Sequence, residues 1–267
     1  MQRRVYEEYG GVNAAVDRGP EIRVQERPNV VFAKIFGWFG IGLLVTAATS
    51  FLVAYLMAYF LGQADMSPEA GAAANLAFSI YLGALIASFV IMMILSFSIN
   101  YLVAKGNAHL VFPFVLYSVM MGVFVSFFLV IGLPFYVMGE AFGITALVFL
   151  GMGLIGYFSK ANLNWLGMVV GGLMICLLIS GLFFWVMFIL IPGSFTIWSL
   201  LLSFVISIFC VIAVGMDMQN VKAAVDHGAS GRSFEIMSAL VFYTDFMQLF
   251  VRILYILLIF FGGRERK

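Results

Sequence analysis

Seven stretches of this chain are each apolar over roughly 20 residues or more, the length an α-helix needs to cross ~30 Å of hydrocarbon. They run roughly from Ile35 to Leu61, Leu76 to Val103, Pro113 to Ile131, Ala141 to Phe158, Leu166 to Ile191, Ile197 to Val221 and Ile236 to Phe261. Lipid offers the backbone no hydrogen-bond partner, so a crossing segment must be a helix or part of a closed barrel. Barrel strands are shorter and alternate in polarity. The pattern therefore predicts an all-α, polytopic membrane protein with seven transmembrane helices. A soluble reading of the 267 residues fails on composition, which is 64% hydrophobic and 10% charged.

Charge placement divides the chain into a polar N-terminal tail, residues 1–33, a membrane domain, residues 34–261, and a short basic tail, residues 262–267. The first tail lacks the apolar core and cleavage site of a secretory leader, so the first span is expected to direct insertion. Basic residues then alternate from side to side. Arg3, Arg4, Arg18, Arg23, Arg27 and Lys34 precede the first span, Lys105 lies in the second loop, Lys160 in the fourth, and Lys222 and Arg232 flank the last. The intervening loops carry no Lys or Arg, although Asp65 and Glu69 lie in the first. This asymmetry predicts a cytoplasmic N-terminus. Seven crossings leave Arg264, Arg266 and Lys267 outside, against the rule. The alternative is a re-entrant last segment, but Ile236 to Phe261 is long enough to cross even when tilted.

Two residues break the apolar pattern where lipid should be: Asp217, in ISIFCVIAVGMDMQNVKAAV, and Asp245, in IMSALVFYTDFMQLFVRILYILLIFF. A carboxylate at bilayer depth costs at least ~2.5–3.5 kcal/mol, so it serves a pathway or a switch more often than packing. The turn DHGASGRS makes the last two spans antiparallel. Counted outward from its middle, the two aspartates differ in depth by only ~5 Å. Helix rotation decides whether they meet. If they do, both cannot ionise cheaply in a low dielectric, so one proton is shared and the pair titrates as a unit. The bland alternative is a hydrogen-bonded pair that only locks the bundle.

Other polar residues have plainer readings. Glu140 opens the fourth span, where the helix dipole favours a carboxylate. His109 and His227 fall in predicted cytoplasmic loops as surface histidines, and Cys176 and Cys210 read as buried thiols. Trp38, Trp165 and Trp198 lie near span ends, as interfacial anchors do. Glycines at packing distance, Gly139 with Gly143 and Gly167 with Gly171, point to close helix contacts. No P-loop, dinucleotide fingerprint or His/Cys ligand cluster occurs, so neither nucleic acid nor a resident cofactor is expected.

Several of these stretches together resemble the Bax inhibitor family, in a bacterial form. The fourth span matches most specifically, with Ala141, Phe142, Thr145, Ala146, Phe149, Gly156, Tyr157, Lys160, Leu163 and Gly167 at family positions. The first span, FAKIFGWFGIGLLVTAATSFLVAYL, matches the family's opening. The family's acidic motifs appear as Asp217, Met218, Gln219 and as Thr244, Asp245, Phe246, Met247, Gln248. The resemblance implies a seven-helix bundle with the last helix central, in the bacterial inner membrane. It also implies a Ca²⁺ leak that responds to pH through the paired aspartates, here Asp217 and Asp245. Some bacterial relatives pair the last aspartate with an arginine of the second helix, but Leu76 to Val103 contains no charged residue.

On that reading the partners are the lipid bilayer, Ca²⁺ and protons. The proton-sharing form closes the path; loss of the proton drives the two helices apart and leaves two hard oxygen ligands for a passing Ca²⁺. That ion favours ~6–8 oxygens, so Gln219, Gln248, backbone carbonyls and water are expected to contribute. Arg252 follows Asp245 by seven residues and so lies on the same helical face, ~10 Å away. It either supplies the counter-charge that the second helix lacks or snorkels to the outer surface. Two functions compete with the leak. One branch of the family resembles a modulator of a membrane-bound quality-control protease, with the N-terminal tail as the natural contact. Two intramembrane aspartates are also the equipment of an aspartyl protease. Such enzymes resemble one another in a Gly-x-Gly-Asp motif and a Pro-Ala-Leu element, however, and here Phe242, Tyr243 and Thr244 precede Asp245 and no Pro-Ala-Leu occurs. The chain is therefore not expected to be an enzyme.

Overall fold

The computed structural model describes residues 27–63, 67–104, 110–159 and 196–262. These form six helices, with no strand among the described residues: α1 (Pro28–Gly62), α2 (Pro68–Ala104), α3 (Val111–Val130), α4 (Phe135–Phe158), α5 (Thr196–Asp226) and α6 (Arg232–Gly262). All six are long and apolar enough to cross a membrane. They coincide with six of the seven expected spans; the remaining one, Leu166 to Ile191, lies outside the described residues.

Helix ends are set by backbone chemistry rather than by the limits of apolarity. Proline occupies the first turn of α1, where its missing N–H is no loss. In α2 the Ser67 Oγ accepts the Ala70 N–H at 3.1 Å, an N-cap. Between α3 and α4 the chain turns at Gly132, φ 85°, and between α5 and α6 at Gly228 and Gly231, φ 89° and 115°, conformations that side chains with a Cβ rarely adopt.

The chain forms two compact units. The first contains α1, α2, α3 and the opening turns of α6, through Leu240. In it α3 packs against both α1 and α2. Its closest approach is at Gly122 of α3, where a Cβ would lie 2.6 Å from the Thr49 Cβ and 2.8 Å from the Thr46 carbonyl oxygen of α1. The Thr46 hydroxyl donates to Gly42 O at 2.9 Å and reaches Ser118 O of α3 at 3.1 Å. On the α2 side, the Tyr81 and Ser126 hydroxyls meet at 3.1 Å. Small residues and hydroxyls thus make the contacts, as expected where lipid already solvates apolar side chains. Large side chains face outward instead: Leu44, Phe97 and Phe112 are 71%, 74% and 75% exposed.

The second unit contains α4, α5 and α6 from Val241 onward. Here α4 crosses α5 at Gly156, where a Cβ would collide with the backbone of Gly215. Against α6, α4 presents Phe142 and Phe149, whose rings meet Phe246 edge-on at 5.4 and 5.7 Å, with further contacts to Phe250 and Phe242. Gly139 and Gly143, expected at a close contact, have open space where a Cβ would stand. Among the described residues the closest approaches are at Gly122 and Gly156, while Gly167 and Gly171 lie outside them.

Candidate functional site

Within the second unit, the Gly156–Gly215 crossing fixes the height and rotation of α5 just before Asp217. Met218, next in sequence, is buried, with its methyl group against Gly153. One turn further on, α5 is tied to the end of α4. The Gln219 Nε2 donates to Ser159 O at 3.3 Å and the Lys222 Nζ donates to Tyr157 O at 2.6 Å. The Lys222 ammonium also stands 4.4 Å from the centre of the Tyr157 ring. A cation and an amide there satisfy carbonyls that the last turn of a helix leaves open.

Held this way, Asp217 turns its carboxyl toward α6, where it stands within hydrogen-bonding reach of the Asp245 carboxyl. The Asn220 side chain also donates to Asp217. Asp245 has no such helper. Its Oδ2 is buried and has no hydrogen-bond donor among the described residues. Around it the α6 backbone is packed tightly, with Phe242 and Tyr243 fully buried and Phe246 and Met247 nearly so. A buried carboxylate oxygen without a donor is costly, whereas a carboxyl proton placed between the two side chains supplies the missing donor.

A second polar level lies seven residues outward along both helices. The Cys210 Sγ of α5 lies 3.9 Å from the Gln248 Oε1 of α6, and Arg252 has Cys210 and Tyr255 as its electrostatic neighbours rather than either aspartate. Gln248 is therefore next to the pair on α6 but engaged with the thiol, and Gln219 is engaged with α4. Among the described residues no three His, Cys, Asp or Glu side chains converge as they would around a tightly held metal.

Other residues singled out by the sequence lie apart. Glu140 is exposed in the second turn of α4, because the helix starts at Phe135 rather than at Ala141. Glu69 is exposed in the first turn of α2, and His227 is exposed just after α5. Trp38 packs edge-on to Phe114 at 6.3 Å, with the Arg232 guanidinium 5.9 Å from its ring. Asp65, His109, Lys160, Trp165, Cys176, residues 1–26 and residues 263–267 lie outside the described residues. Sequence reasoning passed over Glu235, which is 5% exposed in the first turn of α6 and ion-paired to Lys34 of α1 at 3.2 Å. Its signal was a lone acid opening a helix directly after the turn that carries Arg232.

Residues 28–262 match the family model described as Inhibitor of apoptosis-promoting Bax1. The chain is 26% identical over 238 residues to an uncharacterized membrane protein of Streptococcus pyogenes serotype M1, covering 85% of this chain and 91% of that protein. It is 26% identical over 248 residues to the inner membrane protein YbhL of Escherichia coli K12, covering 87% and 91%.

Proposed function

The chain belongs to the Bax inhibitor family, and on that footing we propose that it is a calcium leak gated by the proton that Asp217 and Asp245 hold between them. The observation that carries this reading is the buried Oδ2 of Asp245, which lacks any donor among the described residues while the Asp217 carboxyl stands within reach.

With one proton on the pair, an O–H···O⁻ bond ties α5 to α6 and the path is closed. Such charge-assisted bonds are about twice as strong as neutral ones. Once the proton leaves, two negative charges face each other in a medium that screens them poorly. The helices separate, and the same oxygens become ligands for a passing Ca²⁺. Gln219, Gln248, backbone carbonyls and water complete its shell after the hairpin loosens. A site with only two carboxylates binds weakly, which is what conduction requires.

In this reading the membrane domain is a seven-helix bundle around the last helix, with the N-terminal tail in the cytoplasm of a bacterial cell and the domain in its inner membrane. Membership of the family and the inner-membrane relative support the location. The chain is read as a channel rather than a protease because Phe242, Tyr243 and Thr244 stand where the Gly-x-Gly of such proteases would precede Asp245, and no Pro-Ala-Leu occurs.

The test is Ca²⁺ efflux from proteoliposomes over a pH series. Wild-type flux is expected to rise with pH, and Asp217→Asn is expected to give a low flux that no longer responds to pH. An Asp217→Asn protein with wild-type flux and wild-type pH response refutes the gate.

A further inference from the structure

Beyond the aspartates, α5 and α6 meet again at a second polar contact, Cys210 with Gln248. On α6 the residues Asp245, Gln248, Arg252 and Tyr255 follow at steps of three, four and three, which keeps them on one helical stripe. On α5 the residues Ser203, Ser207, Cys210 and Asp217 do the same, with Val214 completing the stripe. Seven residues out from the pair, ~10 Å along either axis, Cys210 and Arg252 are at the same level. The Cys210–Gln248 contact and the proximity of Arg252 to Cys210 confirm this register. Between the two levels on the α5 stripe, Val214 is fully buried.

Arg252 is the anomaly on this stripe. It lies inside the span Arg232–Ile259 and is partly buried, yet no carboxylate pairs with it among the described residues. A guanidinium has five donors and keeps its charge at every physiological pH. Unpaired in hydrocarbon it is costly, and such residues face a bundle interior or a water-filled cavity. A neighbouring thiol and phenol do not neutralise it, so a charge held here favours water at this end of the seam.

We propose that this seam carries the ion between the aspartate pair and the α5 N-terminal end, and that Arg252 is the residue that sets its discrimination between divalent and monovalent cations. The inference rests on the leak reading above. A fixed positive charge beside a wet path repels a passing cation in proportion to the cation's charge. For an approach of ~5 Å through water the repulsion lowers a monovalent cation's passage about fourfold and a divalent cation's about sixteenfold, the square of the first factor. Arg252 thus acts as a brake that falls mainly on Ca²⁺ and keeps the leak slow. The same geometry makes the brake sensitive to ionic strength, because screening shortens its reach.

The experiment compares Ca²⁺ and Rb⁺ flux through wild type, Arg252→Gln and Arg252→Lys in the same proteoliposomes, at one pH where wild type conducts. Arg252→Gln is expected to raise Rb⁺ flux a few-fold and Ca²⁺ flux by about the square of that factor, and Arg252→Lys, which restores the charge, to return both toward wild type. Equal increases for the two ions mean a merely widened path and overturn the proposal. Unchanged flux for both ions means that the side chain snorkels away from the route and overturns it as well. In either case, a wild-type pH response that Asp217→Asn abolishes keeps the gate intact, so only the role of Arg252 falls. Absence of any wild-type flux removes the leak reading and this inference together.

Discussion

Gly156 of α4 lies so close to the backbone of Gly215 in α5 that no Cβ fits between them. Asp217 follows Gly215 by two residues, so the contact that brings these helices together also sets where the carboxyl points. Backbone approach of this kind is how helices gain packing energy in a solvent as apolar as their side chains.

Gly156→Ala is therefore expected to destabilise the protein by about 1–3 kcal/mol, the usual cost of forcing atoms into a packed contact. The obstruction is backbone, which cannot swing aside as a side-chain tip can. Gly139→Ala, on the same helix with open space around it, is expected to change stability by less than ~0.5 kcal/mol. Thermal unfolding of the two variants in the same detergent checks the difference. Equal melting temperatures for both would show that the α4–α5 crossing is looser than the geometry implies.

Lys34 and Glu235 offer a separate test within the other unit. The Glu235 side chain is 6% exposed and that of Lys34 is 41% exposed. Removing the lysine leaves a buried carboxylate unpaired, whereas removing the carboxylate leaves a lysine that water can still solvate. Lys34→Met is accordingly expected to destabilise more than Glu235→Gln, with a coupling in the double-mutant cycle of about 1 kcal/mol, because the half-exposed lysine screens the pair. A coupling near zero would mark the ion pair as incidental.

Much of this arrangement is legible in the chain, and the limits have physical causes. Apolar runs locate the helices because hydrocarbon admits nothing else, but they mark only the part that lipid covers. Thus α1 begins at Pro28 rather than Ile35, α2 at Pro68 rather than Leu76, and α5 runs on to Asp226 rather than ending at Val221. In each case the helix continues through interfacial polar residues until a proline, a cap or a left-handed glycine stops it. The common depth of Asp217 and Asp245 follows from counting residues. Their mutual orientation does not, since it depends on the Gly156–Gly215 crossing and on the ties of Gln219 and Lys222 to α4. For the same reason spacing alone favours Gly139 with Gly143, while the contact is made at Gly156: a pattern of small residues shows where helices are able to approach, and the large aromatics around it decide where they do. The ion pair of Glu235 leaves no local mark in the sequence because its partner, Lys34, lies some 200 residues away.

The aspartate pair makes the sharpest prediction, because a shared proton belongs to both residues. Asp217→Asn and Asp245→Asn each leave one carboxylate facing an amide, whose N–H takes over the donor role of the shared proton. Either variant should tie α5 to α6 at every pH. Both are expected to show the same low flux without pH response, despite the different surroundings of the two residues, one helped by Asn220 and the other not. The double variant Asp217→Asn/Asp245→Asn should be no lower than either single, since the gate is lost once; independent sites would multiply their effects instead. Flux assays across pH on the three proteins decide between these patterns. Multiplicative losses, or a pH response surviving in one single variant, would mean that the two carboxyls titrate separately and that no proton is held in common.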